Sequence, residues 1–115
     1  MKAMKTKMTN NDKVTELTNG EFSKFIENGT VLVDFWAEWC MPCIMMTPVM
    51  EELSEKFKGK IKFGKINVDE NQPLAHKFKI FSIPNFVLFK NGKPIDQFIG
   101  AMLEEDFEDR LKRHL

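Results

Sequence analysis

Cys40 and Cys43 are the two cysteines in a chain of 115 residues, and two residues separate them. Thiols at this spacing can bind a metal ion, form a permanent cross-link or alternate between a dithiol and a disulfide. A structural zinc site needs about four ligands, and only His76 and His114, from separate parts of the sequence, could complete the set. A permanent disulfide that closes so short a loop stabilises a fold little, and cytosolic reductants oppose it. The spacing therefore favours redox cycling.

The position of the pair suggests which thiol reacts first. Cys40 follows a predicted strand and immediately precedes a predicted helix, where unpaired N–H groups and the helix dipole stabilise a thiolate. The thiolate is the attacking species in disulfide exchange. Cys43 lies nearly one helical turn later, and Pro42 suits the first turn, where its missing N–H costs nothing. We therefore expect a two-step mechanism in which Cys40 attacks and Cys43 resolves the mixed disulfide.

Asp34 is a candidate proton acceptor for this reaction. It lies in the apolar segment Val31–Trp36, where alternation places it on one face of a strand with Leu32 and Trp36. If both faces of that strand are covered, burial raises the pKa of the Asp34 carboxyl, which can then accept the proton of Cys43. The alternative is an ordinary solvated aspartate at the end of a strand.

The elements that must position these residues follow from alternating strand and helix signals. The predicted strands are Val14–Leu17, Val31–Trp36, Ile61–Val68, Phe86–Phe89 and Ile95–Ile99. The predicted helices are one from the capping box at Thr18–Glu21 to Asn28-Gly29, one from Cys40 to about Phe57, Pro73–Phe78 and Leu103–His114. Asn91-Gly92 between two apolar runs predicts a hairpin. The order β-α-β-α-β-α-β-β-α predicts an α/β fold with three layers, in which four helices cover both faces of a mixed sheet of about five strands.

The second helix carries the cysteines and should be kinked at Pro48, which removes one amide donor and crowds the preceding turn. Its predicted inner stripe consists of Ile44, Val49, Met50, Leu53 and Phe57. Methionine at helical spacing usually fills the core, which is the interpretation for Met45, Met46 and Met50. His76 and His114 are interpreted as surface residues without a catalytic role.

Composition excludes several classes of protein. Lys+Arg and Asp+Glu both number 17, so the formal net charge is zero, which argues against a nucleic-acid binder that neutralises phosphates. No apolar run approaches the ~20 residues that span a bilayer, and no apolar stretch follows the N-terminal lysines as in a secretory signal. We expect a cytoplasmic protein with one domain at residues 14–115 and a flexible tail at residues 1–13. A basic arm that binds a partner is the alternative for the tail.

The segment Val33–Cys43 (VDFWAEWCMPC) resembles the active-site segment of thioredoxins, whose usual pattern is W-C-G-P-C. The similarity extends from about Asp12 to Leu115. Further matching motifs are Pro48, Asn67-Val68-Asp69, Ser82-Ile83-Pro84, Lys90-Asn91-Gly92 and Gly100. Glutaredoxins typically carry a tyrosine between the cysteines, and this chain contains no tyrosine. The resemblance implies the thioredoxin fold.

The resemblance also implies a function, which is the reduction of protein disulfides by a monomeric protein without a bound cofactor. An NADPH- or ferredoxin-linked thioredoxin reductase would recharge it. Expected clients are ribonucleotide reductase, peroxiredoxin and methionine sulfoxide reductase. The competing functions are an oxidant, an isomerase or a glutathione-coupled reductase on the same fold, and a scaffold subunit in which the thiols are incidental.

Two charged residues acquire roles by resemblance. Asp34 matches the buried aspartate of the family, and Lys65 is placed near it, where it would moderate the titration of that carboxyl. In the sequence, Lys65 shares a strand face with Ile61 and Phe63, so an apolar neighbourhood is plausible. The alternative for Lys65 is a solvated lysine.

The resemblance further implies a substrate-binding surface around the cysteines. The Ile83–Pro84 bond should be cis, with Pro84 packed opposite the cysteines and the Ile83 backbone exposed to pair with a substrate chain. Trp39 is expected on the rim, with a packing role as the alternative. Met41 should be exposed and offer an adaptable apolar contact. Pro42 and Gly100 complete the set of expected substrate-binding residues.

The sequence departs from the family pattern at three positions near the cysteines. Met41 replaces the usual glycine, at a position that tunes the redox potential. Ile44 stands where thioredoxins often carry a basic residue, and losing that charge should raise the pKa of Cys40 and make the pair more reducing. Asn85 follows Pro84 where threonine is common, and the sequence suggests no reason for it.

Overall fold

The computed structural model describes residues 14–115, so the tail predicted at residues 1–13 lies outside the described residues. Five strands are present: β1 (Val14–Leu17), β2 (Thr30–Trp36), β3 (Ile61–Asn67), β4 (Asn85–Lys90) and β5 (Lys93–Ile99). The helices are α1 (Asn19–Phe25), α2 (Met41–Met45), α3 (Thr47–Lys56), α4 (Gln72–Lys77) and α5 (Glu104–Lys112). Most of the predicted boundaries agree with these to within one or two residues. Among these helices, none combines the length and apolar character needed to cross a membrane.

The strands form one mixed sheet in the order β1-β3-β2-β4-β5. The pairs β1/β3 and β3/β2 are parallel, whereas β2/β4 and β4/β5 are antiparallel. The mixed five-stranded sheet is therefore confirmed. Its central strand, β2, has Asp34 opposite Lys65 on one side and opposite Phe86 on the other. The strand that leads to Cys40 is thus held by neighbours on both edges.

Two apolar clusters cover the two faces of the sheet. This explains why β2 carries apolar residues at both odd and even positions. One cluster joins alternate strand residues to α3 and α5 through Leu32, Phe63, Phe86, Met50 and Phe107, among others. The other joins the opposite face to α1 and α4 through Val31, Val33, Phe35, Phe22 and Leu74, among others. Burial of these side chains is the main stabilising contribution to the three-layer arrangement.

The predicted kinked helix is two helices. Met46 ends α2 and also precedes α3, in which Pro48 occupies the first turn. Because of this break, the residues of α2 and α3 do not lie on one continuous helical face. Met46 is buried, whereas Ile44 and Met45 are exposed. The predictions that Ile44 belongs to the inner stripe and that Met45 fills the core are therefore wrong. Met50, Leu53 and Phe57 are buried and Val49 is partly buried, as predicted.

Local signals at the turns are confirmed. The Thr18 N–H donates to Oε1 of Glu21 at 3.0 Å, which stabilises the start of α1. The predicted hairpin turns at Asn91 and Gly92, with φ values of 50° and 86°. These positive angles are accessible to asparagine and glycine, which explains the Asn-Gly pair.

The C-terminal helix is fastened to β5 by a polar cluster around Asp96. Arg110 Nη2 lies 2.9 Å from Oδ1 of Asp96, and His114 Nε2 lies 2.9 Å from its Oδ2. Burial tends to raise the pKa of Asp96, but the bonds from His114 and Arg110 outweigh burial and lower it. His114 is therefore half-buried and structural rather than a plain surface residue, whereas His76 is exposed.

Candidate active site

The two cysteines meet at the start of α2. Cys40 is the residue before the helix, and its N–H donates to the carbonyl oxygen of Ala37 at 3.2 Å, which closes the turn after β2. Cys40 and Cys43 are joined by a disulfide, with their Cα atoms 5.3 Å apart. The Cys43 N–H points at the Cys40 sulfur, with an N···S distance of 3.3 Å. A helix N-terminus thus faces Cys40, as expected, and would stabilise a thiolate there.

Asp34 is buried in β2 on the strand that leads to the cysteines. Its side chain is 4% exposed, and within residues 14–115 its Oδ1 has no hydrogen-bond partner. Burial raises the pKa of the Asp34 carboxyl to about 7, an effect that the positive charge of Lys65 reduces and the negative charge of Glu16 increases. The alternative of a solvated aspartate is therefore wrong. A carboxyl with this pKa can take up or release a proton near neutral pH.

Lys65 lies beside Asp34 in the sheet but forms its salt bridge with another residue. Its Nζ is 3.7 Å from Oε1 of Glu16 and lies over the Trp36 ring, 5.0 Å from the ring centroid. The Lys65 side chain is partly buried, so it is neither a core residue nor a fully solvated lysine. Sequence reasoning missed Glu16, because only the pairing of β1 with β3 brings it to Lys65.

Trp39 lies on the rim next to Cys40 and is 69% exposed, so it has no core-packing role. Its indole N–H donates to Oδ2 of Asp69 at 2.8 Å. Asp69 belongs to the turn after β3, where its own N–H donates to Oδ1 of Asn67 at 2.9 Å. The one sequence signal for Asp69 is its position just after a predicted strand. Because β2 and β3 are parallel, their carboxyl ends meet at the same edge of the sheet, which brings Asp69 near Trp39.

Ile83 and Pro84 form the loop that leads into β4. Their peptide bond is cis, in agreement with the resemblance. The Ile83 side chain packs against the small cluster that contains Cys40 and Cys43. The carbonyl oxygen of Pro84 accepts a hydrogen bond from the N–H of Gly100 at 2.8 Å. These contacts bring the predicted residues from three separate parts of the chain to one site.

The structure accounts for Asn85, for which the sequence suggested no reason. Its side chain is buried, and its Nδ2 donates to the carbonyl oxygen of Ser82 at 3.3 Å. Its Oδ1 accepts a hydrogen bond from Nε2 of Gln97 at 2.9 Å. An amide supplies both the donor and the acceptor, and it thereby links the loop before β4 to β5.

An apolar rim lies on the segments that carry the cysteines and that precede Ile83. We use this name for five exposed apolar side chains: Trp39, Met41, Ile44, Met45 and Phe81. Exposed clusters of this kind are typical of surfaces that bind other proteins. Phe81, at 82% exposure, was not singled out from the sequence.

In the described part of the chain, no three side chains of His, Cys, Asp or Glu lie close enough together to hold a metal ion. His76 and His114 therefore do not join the two cysteines in a ligand cluster. The site brings together a disulfide, a buried carboxyl and an exposed apolar surface.

Comparison with known proteins gives a consistent result. The family model described as thioredoxin matches residues 13–113. Three curated proteins named thioredoxin, from Staphylococcus aureus strains Mu50, MW2 and N315, are each 41% identical to the chain over 102 residues. These residues cover 89% of this chain and 98% of each relative.

Proposed function

The chain belongs to the thioredoxin family, and from that premise we propose how its individual residues divide the work of disulfide reduction. The protein is a thiol–disulfide oxidoreductase that reduces protein disulfides through Cys40 and Cys43. The observation that carries the assignment of roles is the placement of Cys40 before α2, with Cys43 inside the helix. Only the first position faces the free N–H groups of the helix.

In the first step, the Cys40 thiolate attacks one sulfur of a protein disulfide. A bond forms between Cys40 and that sulfur, the substrate S–S bond breaks, and the other substrate sulfur leaves as a thiolate. The Cys43 N–H, 3.3 Å from the Cys40 sulfur in the disulfide form, is available to stabilise the attacking thiolate.

In the second step, Cys43 loses its proton to Asp34 and attacks the Cys40 sulfur. The Cys40–Cys43 disulfide forms, and the second substrate sulfur leaves as a thiolate, so two electrons have passed to the substrate. Burial of Asp34 and its pKa of about 7 support the role of proton acceptor. Within residues 14–115, Oδ1 of Asp34 has no hydrogen-bond partner, so it can receive the proton. Lys65 moderates the titration of this carboxyl.

The substrate chain is bound beside the disulfide by the apolar rim and by backbone pairing to Ile83. Within residues 14–115, neither the N–H nor the carbonyl oxygen of Ile83 makes a hydrogen bond, so both can pair with an extended substrate segment. Pro84 and Gly100, which are linked by a backbone hydrogen bond, are assigned to the substrate-binding surface. Met41 and Pro42 face the substrate from the segment between the cysteines.

The partners are a thioredoxin reductase, which returns the disulfide to the dithiol, and proteins that contain reducible disulfides. More specifically, we propose that ribonucleotide reductase, peroxiredoxin and methionine sulfoxide reductase are clients of this protein. We further assign a cytoplasmic location, a monomeric state, and residues 14–115 as the domain.

Insulin reduction by the wild type and by two single-cysteine variants tests the order of the cysteines. Cys43→Ser should stop turnover and accumulate a mixed disulfide at Cys40, which mass spectrometry of the conjugate would locate. Cys40→Ser should neither turn over nor form a conjugate, because Cys43 lies inside α2 and does not face the free N–H groups that stabilise a thiolate. A conjugate on Cys43 in the Cys40→Ser variant would contradict the assigned order.

A further inference from the structure

Glu16, Lys65 and Asp34 lie side by side on three neighbouring strands. The register pairs Glu16 of β1 with Lys65 of β3, and Lys65 with Asp34 of β2. Paired positions in parallel strands project from the same face of the sheet. The row therefore places one cation between two carboxylates. It runs from the edge strand β1, where Glu16 is exposed, to the central strand, where Asp34 is buried.

The Lys65 ammonium lies closer to the Glu16 carboxylate than to the Asp34 carboxyl. Within residues 14–115, Lys65 forms its salt bridge with Glu16, at 3.7 Å, and none with Asp34. Its second contact is with the Trp36 ring, on the same strand as Asp34. Asp34 Oδ1 has no hydrogen-bond partner in the same part of the chain. The register would allow Lys65 to approach either carboxylate, and the observed side chain approaches Glu16.

We propose that Glu16 is a positioning residue of this active site, because it holds the Lys65 ammonium at the edge of the sheet and away from the Asp34 carboxyl. Glu16 touches neither the sulfurs nor the substrate surface, so it acts through Lys65. The inference rests on the proposed function, in which Asp34 accepts the proton of Cys43. Its chemical consequence is that Asp34 remains a base strong enough to take that proton near neutral pH.

The electrostatics of the row agree with this arrangement. Burial raises the pKa of Asp34, Lys65 lowers it and Glu16 raises it. Burial also raises the pKa of Glu16, which Lys65 and the Trp36 indole lower and Glu70 raises. In the reduced protein, the thiols of Cys40 and Cys43 add two further titrating groups at this end of the sheet. The titration of Asp34 is therefore cleanest in the disulfide form.

The first experiment is an NMR titration of the Asp34 side-chain carboxyl carbon in the oxidised full chain. Glu16→Gln releases Lys65 and removes a nearby negative charge, and both changes lower the pKa of Asp34. We expect a decrease of about half a pH unit or more. Glu52→Gln, which removes one exposed carboxylate from α3, is the matched control and should leave the pKa of Asp34 unchanged. An unchanged titration in Glu16→Gln would overturn the proposal.

The second experiment separates the position of Lys65 from the direct charge of Glu16. Lys65→Met removes the ammonium, and Glu16→Gln is then introduced into that background. If Glu16 acts by holding Lys65, its effect on the Asp34 titration should fall to less than half of the effect in the wild type. An equal effect in both backgrounds would mean that Glu16 acts directly as a charge, which contradicts the proposed positioning.

The third measurement connects the row to the reaction. With a lower Asp34 pKa, the resolution of a mixed disulfide by Cys43 should be about twofold faster at pH 6 and slightly slower at pH 8. Glu52→Gln should show neither change. If the Asp34 titration moves but the resolution rate does not follow, the proton-acceptor role of Asp34 is wrong while the positioning by Glu16 stands. If the titration does not move, the inference about Glu16 is wrong and the proposed function is untouched.

Discussion

The Trp39 indole N–H donates a hydrogen bond to Oδ2 of Asp69, with an N···O distance of 2.8 Å. Trp39 directly precedes Cys40, and Asp69 lies in the turn after β3. The bond therefore joins two loops at the ends of neighbouring parallel strands. Because the Trp39 side chain is largely exposed, this contact rather than burial fixes the orientation of its ring.

Substitution of Asp69 should weaken substrate binding. Asp69→Ala leaves the Trp39 ring free to rotate, so kcat/KM for insulin reduction should fall about threefold to tenfold, mainly through KM. Asp69→Asn retains an oxygen that can accept the indole N–H and should restore most of the loss. Steady-state kinetics check this, and a fall in kcat at unchanged KM would contradict a binding role for the contact.

Asp34→Asn should slow the second chemical step. The amide keeps the shape of the side chain but cannot accept the proton of Cys43, so resolution of a preformed mixed disulfide should slow about tenfold or more. The attack by Cys40 should change much less. Rapid mixing with a mixed disulfide formed on Cys40 measures the step directly, and equal rates in both proteins would remove Asp34 from the mechanism.

The same substitution should change how stability depends on pH. The pKa of Asp34 is raised from 3.8 to about 7 in the folded protein, so the folded state binds the proton more tightly than the unfolded state. The carboxyl therefore favours folding when it is protonated. Stability is lost as the pH rises from about 4 to 7, by up to about 4 kcal/mol.

Urea unfolding of the oxidised protein at pH 5 and pH 8 measures this loss. The wild type should be less stable at pH 8, whereas Asp34→Asn should show a much smaller difference and should exceed the wild type at pH 8. Asp109→Asn, which alters an exposed carboxylate on α5, is the control and should behave like the wild type. An equal pH dependence in wild type and Asp34→Asn would contradict the buried-carboxyl explanation.

Ile44→Lys should make Cys40 more reactive at low pH. Ile44 is exposed next to Cys43, and its N–H donates to the carbonyl oxygen of Cys40 at 3.1 Å. An ammonium at this position would favour the Cys40 thiolate, so alkylation of the reduced protein at pH 6 should be about threefold faster. Ile44→Gln separates charge from polarity and should leave the rate near that of the wild type. No acceleration in Ile44→Lys would refute the effect assigned to the missing charge.

Much of the fold and the centre of the site could be predicted because their signals are local. The positions of Cys40 and Cys43 relative to β2 and α2 follow from strand and helix patterns a few residues long. The hairpin at Asn91 depends on one turn with positive φ angles. Asparagine and glycine adopt such angles more readily than other residues, so their presence predicts the turn. The burial of Asp34 follows from a strand that is apolar at both parities.

The remaining features depend on relationships that a single sequence does not display. Helical spacing along one continuous helix predicts Ile44 in the inner stripe and Met45 in the core, whereas the observed break at Met46 changes the phase of the residues before it. The contact of Glu16 with Lys65 follows from strand order and register. The bond from Gln97 to Asn85 likewise requires β5 to pair with β4.

Because of the break at Met46, the residues that affect the reactivity of the cysteines and the residues that stabilise the fold lie in different helices. The buried side chains Met50 and Leu53 belong to α3, whereas α2 contributes Cys43 as its buried residue. Substitutions at Met41 or Ile44, on the exposed side of a five-residue helix, therefore remove little buried surface and cost little folding free energy. Natural variation at these positions can consequently change the reduction potential of the disulfide or the choice of substrates, while the sheet and its two apolar clusters stay the same.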